Sequence, residues 1–328
     1  MKLDQIREIG GRNLQFVKRY LTELFHLVIG IQRTIKLKER VKGLYKYPNK
    51  MLGRNFSINE INQTDILVFA AHPDDEVIGL SAMISRHCSK DEKVTIVYVT
   101  DGSGRDGESW KTEKKLTAWI AETRYQEGIR GLAVLKIPQQ NLVCLGFPDG
   151  GTHRYLKEIS KDVTSLIKNL APKRIYVHCI EGGHNDHDLV SLVVKSVCNK
   201  LHFENVYEWA EYSPLYPLGT EDMKFLPPLP FHRAKEINIE LSKKELKIKK
   251  EMLSCHESQD VTDLFTQGES IRRANLLYIK EELAAYSQVP KEDWSYLVER
   301  FIKYIKRKSL RTKSLKTNRT GKQAVKKT

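Results

Sequence analysis

The chain has 328 residues, of which 40% are hydrophobic, with a net charge of +14. That is enough apolar material for a full core, so wholesale disorder and a staple-dependent mini-fold are excluded. No run approaches the ~18 apolar residues of a membrane-spanning helix, and the first 20 residues have no clean apolar stretch of the signal-peptide kind.

The charge is unevenly spread. Residues 1–55 carry +9 and residues 303–328 carry +11, which leaves −6 for the middle. A nucleic-acid enzyme more often puts its positive charge around the active site, so a specific nucleic-acid partner is not expected. The five cysteines, at 88, 144, 179, 198 and 255, include no C-x-x-C pair and are odd in number. A disulfide scaffold is therefore not expected, and a reducing cytoplasm is the natural setting.

In chain order, residues 1–45 have apolar residues at helical spacing, with Gly10-Gly11 as an interruption. This extension suits packing on the main domain or a second subunit; its basic flanks also suit an anionic membrane surface. From about residue 60, short apolar runs alternate with helical stretches. Strands are predicted at 66–70, 94–99, 142–145 and 175–178, and helices at 75–88, 112–134, 154–170 and 186–200. Further strands are expected at 206–211 and 236–241, and helices at 242–255, 270–286 and 292–307. The Lys/Arg-rich end, 308–328, reads as disordered. Strand–helix alternation predicts a Rossmann-like three-layer α/β/α fold with a mostly parallel sheet. The organisation is a basic helical extension (1–55), a main α/β domain (56–302) and a basic tail (303–328).

Two polar segments each follow a predicted strand: His72-Pro73-Asp74-Asp75-Glu76, and Gly182-Gly183-His184-Asn185-Asp186-His187-Asp188. In an open α/β sheet, ligands bind beyond the carboxyl ends of the strands, where the strand order reverses. A 3-2-1-4 order would bring both segments to one crevice. Imidazole and carboxylate are ordinary zinc ligands. Pro73 suits the first turn of a helix, and the acids after it suit a helix N-terminus. Of Asp74 and Asp75, one can hold a metal while the other stands beside it as a base. His184 and His187, three apart, share a face if the turn is helical, and Asp186 can fix a histidine tautomer. His178 reads as a packed polar residue, Glu211 and Tyr212 as residues able to reach the crevice, and Trp119 as a core aromatic.

The two motifs, in this order and at this separation, closely resemble the PIG-L/LmbE-like metal-dependent N-acetylglucosaminyl deacetylases. Weaker echoes are Thr100-Asp-Gly-Ser-Gly104, Arg124-x-x-Glu127 and Leu145-Gly-Phe-Pro-Asp149-Gly. The resemblance covers roughly residues 60–250 and implies one Zn2+, or another divalent metal, held by His72, Asp75 and His187. It implies Asp74 as general base and His184 as oxyanion partner or proton donor. It also implies Arg124 and Asp149 as contacts to an N-acetylated amino-sugar substrate. An amidase acting on a larger amide is the alternative within the family. Outside it, a non-haem iron enzyme uses the same two-His, one-carboxylate set.

Overall fold

The computed structural model describes residues 64–104, 114–231 and 234–287, with isolated positions at 27, 28, 54, 61, 301 and 305. The expected tail and most of the N-terminal extension and last helix lie outside these residues. Leu27 and Val28 are helical.

The strands are β1 (Ile66–Ala70), β2 (Val94–Thr100), β3 (Leu142–Phe147), β4 (Arg174–His178), β5 (Val206–Ala210), β6 (Ile237–Ile239) and β7 (Glu269–Arg273). The helices are α1 (Asp75–Cys88), α2 (Lys114–Ala133), α3 (Leu156–Leu170), α4 (Asn185–Leu201), α5 (Lys243–Ser254) and α6 (Ile279–Tyr286). One sheet runs in the order β3-β2-β1-β4-β5-β7-β6, so the 3-2-1-4 order holds. β1 to β5 pair in parallel, and β7 is antiparallel to both its neighbours.

The central strands are apolar on both faces because each face is covered by helices. Leu67, Phe69, Val97, Val99, Val143 and Val177 pack with α3 and α4 on one side. Their alternates Val68, Ala70, Ile96, Tyr98 and Tyr176 pack with α1, α2 and α5 on the other. Full burial of each such side chain stabilises by roughly 1.5–3 kcal/mol.

Three expectations are corrected. The helix expected over 270–286 is strand β7 followed by the shorter α6. Its polar residues misled because they are buried in pairs: Glu269 with Lys249 and Ser81, and Arg272 with Glu208. Trp119 is 62% exposed on α2, not in the core. Pro73 precedes α1 rather than entering its first turn, and Asp74 is the N-cap, with no side-chain cap bond.

Candidate metal and catalytic site

The crevice forms where β1 and β4 end side by side, with Phe69 opposite Val177. β1 exits through Ala71, whose carbonyl accepts bonds from the Thr100 amide (2.9 Å) and hydroxyl (2.8 Å). This fixes the backbone that presents His72. β4 exits into the 179–184 loop, where Asp188 accepts bonds from the amides of Glu181 (3.0 Å) and Gly182 (3.2 Å). A Cβ on Gly183 would lie 2.1 Å from the Tyr212 carbonyl oxygen, so only glycine permits that close approach. α1 and α4 begin beside each other at this edge, and their N-termini favour negative charge there.

His72 and Asp75 converge with His187, over a hundred residues further along the chain. His72 Nδ1 lies 3.3 Å from His187 Nε2. Asp75 Oδ2 lies 3.4 Å from each of those two atoms. A tetrahedral site with ligand bonds of about 2.0–2.1 Å has donor–donor edges of about 3.3–3.4 Å. The three donor atoms therefore have the spacing of one face of such a tetrahedron. His72 is oriented from behind: its Nε2 lies 3.1 Å from Asp149 Oδ1 and 3.3 Å from Asp186 Oδ2. Donation from Nε2 leaves the Nδ1 lone pair for a cation. Asp186 is itself held by the Gly150 amide (2.6 Å) and the Thr152 hydroxyl (2.5 Å).

Asp74, Asp75, Asp149 and Asp186 are all buried here, with Arg124 as the buried guanidinium among them. Such an excess of carboxylate is what a bound divalent cation offsets. Burial alone would raise the Asp75 pKa, but facing His187 and His72 hold it well below the usual carboxylate range. Burial would lower that of His72, yet Asp149 and Asp75 raise it well above 6.5. Burial lifts Asp74 to about 6, against the pull of Arg124. It lowers His184 to about 4, assisted by His72 and His187.

His184 caps α4: its Nδ1 accepts from the Asp186 amide at 3.1 Å. Its ring stands edge-on to His72 at 4.6 Å and 5.0 Å from that of His187. Asp149 Oδ2 accepts from the Gly104 amide at 2.8 Å, and Arg124 Nη1 is 3.9 Å away. All eight residues singled out in the two motifs and their echoes thus meet in one crevice.

Two more residues belong to this wall. The His178 ring stacks on His187 at 3.9 Å, and its Nε2 lies 3.2 Å from Asp75 Oδ2. Glu211 Oε2 lies 3.1 Å from His178 Nδ1 and 3.9 Å from His187 Nδ1, and accepts from the Trp209 indole at 3.2 Å. The signal for both was position alone: each stands at the carboxyl end of a parallel strand. Glu181 instead supports the wall, accepting from the Glu211 and Tyr212 amides at 2.9 Å each.

Comparison with known proteins finds similar chains of one kind. Residues 67–198 match the family described as PIG-L: GlcNAc-PI de-N-acetylase. The chain is 28% identical over 159 residues to the uncharacterized deacetylase YaiS of Escherichia coli (strain K12), covering 45% of this chain and 78% of that one. Among solved structures it is similar to the zinc-inhibited form of the teicoplanin deacetylase Orf2, with a TM-score of 0.51 at 17% identity over 64% of this chain and 97% of that one. It is also similar to the A40926 pseudoaglycone deacetylase Dbv21, with a TM-score of 0.50 at 17% identity over 65% of this chain and 97% of that one. At such identities the structural likeness is one of fold. With both motifs inside the matched segment, the resemblance is borne out: residues 67–198 of this chain are similar to the PIG-L family.

Proposed function

We propose that this chain is a zinc-dependent hydrolase that removes the acetyl group from an N-acetylglucosamine-containing substrate. The carrying observation is the tetrahedral face made by His72, Asp75 and His187, with Asp74 next to it in the chain. Those three residues would hold the cation, which when bound supplies Lewis acidity and lowers the pKa of water from 15.7 to about 7.

Asp74 accepts the proton as water adds to the amide carbonyl. A pKa of about 6 suits it, because a base works best when its pKa lies near the working pH. His184 is the oxyanion donor. Its Nδ1 is occupied by the Asp186 amide, so the single proton of the neutral ring sits on Nε2. A neutral N–H suffices for this role, and a donor of this kind is worth about 2.7–4 kcal/mol to the transition state. Asp74 then returns its proton to the leaving nitrogen as the C–N bond breaks. The products are acetate and a free amino sugar. Asp149, whose side chain is 12% exposed, is placed to accept a sugar hydroxyl.

In this reading residues 56–302 form the deacetylase domain, working in a reducing cytoplasm; the five cysteines are free. No helix among the described residues is long and apolar enough to cross a membrane. The basic ends, 1–55 and 303–328, would contact an anionic lipid surface, each nearby Lys or Arg adding about 1 kcal/mol. Deleting 303–328 should then weaken binding to phosphatidylserine vesicles; unchanged binding would end that part of the reading. The function itself is tested by acetate release from a panel of N-acetylated sugars. Zinc-loaded protein that releases acetate from none of them would overturn it.

A further inference from the structure

Where β1 ends, two successive amides bond to side chains. The Ala71 amide donates to His178 Nε2 at 3.0 Å, and the His72 amide donates to Asp75 Oδ2 at 2.7 Å. His178 is the last residue of β4 and is fully buried. Because its Nε2 accepts, the ring is neutral and carries its proton on Nδ1, and it has no lone pair left for a cation. Nδ1 faces Glu211 Oε2 at 3.1 Å. Glu211, buried just past the end of β5, accepts in turn from the Trp209 indole at 3.2 Å.

The same ring bears on the other half of the cation site. It stacks on His187, with centroids 3.9 Å apart and planes 22° from parallel. The Trp209 ring lies 4.3 Å from it, in space that α1 leaves free: a Cβ on Gly79 would lie 2.4 Å from Trp209 Cδ1. One buried imidazole therefore touches both the backbone that presents His72 and the face of His187. An apolar ring would fill this space without the cost of burying an imidazole and a carboxyl group. What the polar pair adds is direction. The acceptor at Nε2 fixes where Ala71 points, and Glu211 fixes which edge of the ring faces it.

We propose that His178 and Glu211 are a positioning pair for the cation site and touch neither cation nor substrate. His178 aligns His72 through the Ala71 amide and His187 through the ring contact, and Glu211 holds His178 in that orientation. This role rests on the reading that His72, Asp75 and His187 hold the cation.

Two measurements on the full chain test it. The first is nitrogen NMR of metal-free protein with isotope-labelled histidine, the His178 signals being identified by their loss in His178→Phe. They should show Nδ1 protonated and Nε2 bare; a proton on Nε2 would overturn the pairing. The second is zinc affinity by chelator competition, with Tm recorded on the same samples. His178→Phe keeps a ring against His187 but offers no acceptor to Ala71 and no donor to Glu211. Its zinc Kd should rise about 10-fold or more, and that of Glu211→Leu in the same direction. Glu211→Gln, which keeps a carbonyl acceptor for the indole and for Nδ1, should stay within about threefold of the original. A zinc Kd within about threefold of the original in both folded His178→Phe and folded Glu211→Leu would overturn the proposal, leaving the pair a packing role. If His178→Phe does not fold, His178→Phe combined with Glu211→Gln serves the same comparison, and the tautomer is read on the original chain in any case. Zinc bound equally well by His187→Ala would instead overturn the reading of the cation site, which is a separate result.

Discussion

Asp74→Asn separates the chemistry from the metal. Asparagine keeps the shape of the side chain, and its carbonyl oxygen can still accept from Arg124 Nη2, which sits at 3.1 Å. It also tolerates positive φ better than most residues, so the 116° at this position does not select against it. His72, Asp75 and His187 keep their approach to one another. What disappears is the group that takes and returns the proton. Loss of a positioned base costs typically 10²–10⁴-fold, or about 3–5 kcal/mol of barrier at 1.36 kcal/mol per decade. The assay is acetate release by zinc-loaded variant and original protein, with metal content measured on the same samples. We expect one zinc per chain in both, and kcat lower by at least about 10²-fold in the variant. Equal rates would refute the assignment of Asp74, and loss of zinc would show that Asp74 is a ligand instead.

Asp186→Ala removes the carboxylate shared by His72 Nε2, the Gly150 amide and the Thr152 hydroxyl. Zinc affinity by chelator competition should fall about 10–100-fold, and an unchanged Kd would contradict the tautomer-fixing role. Gly183→Ala drives a Cβ to 2.1 Å from the Tyr212 carbonyl oxygen, so a destabilisation of about 1–3 kcal/mol is expected in chemical denaturation. A neutral result would mean that the loop yields. His256 is 1% exposed, and burial, helped by Arg124, lowers its pKa to about 3. The unfolded chain, with a pKa near 6.5, then binds the extra proton first. Stability from this group is present above pH 6.5 and is lost as the pH falls, by about 2 kcal/mol between pH 7 and 5. His256→Phe should flatten that slope, and an unaltered slope would refute the assignment.

What could be read from the sequence was what rests on local pattern. β1, β2, β3 and β4 are continuous apolar runs because both faces are covered, and the two motifs lie where such runs stop. Their meeting followed from a strand order that parallel pairing and crossover handedness already favoured. What could not be read depends on partners distant in the chain. β7 looks helical because Glu269 and Arg272 resemble surface residues until Lys249 and Glu208 are placed opposite them. His178 and Glu211 face His187 only through the pairing of β4 with β5. The unusual backbone at Asp74 has no local signal, since a proline followed by two aspartates suits an ordinary helix start equally well. Trp119 went wrong for the opposite reason: an aromatic residue on an amphipathic helix favours burial, and here it faces outward.

The central claim is that His72, Asp75 and His187 hold one catalytic cation. Metal content per chain, on tag-free protein, for the original sequence and for His187→Ala, tests it most directly. The account predicts about one zinc per chain in the first and little in the second, because two donors are left where a catalytic site has three. Equal zinc in both, or none in either after reconstitution, would contradict it.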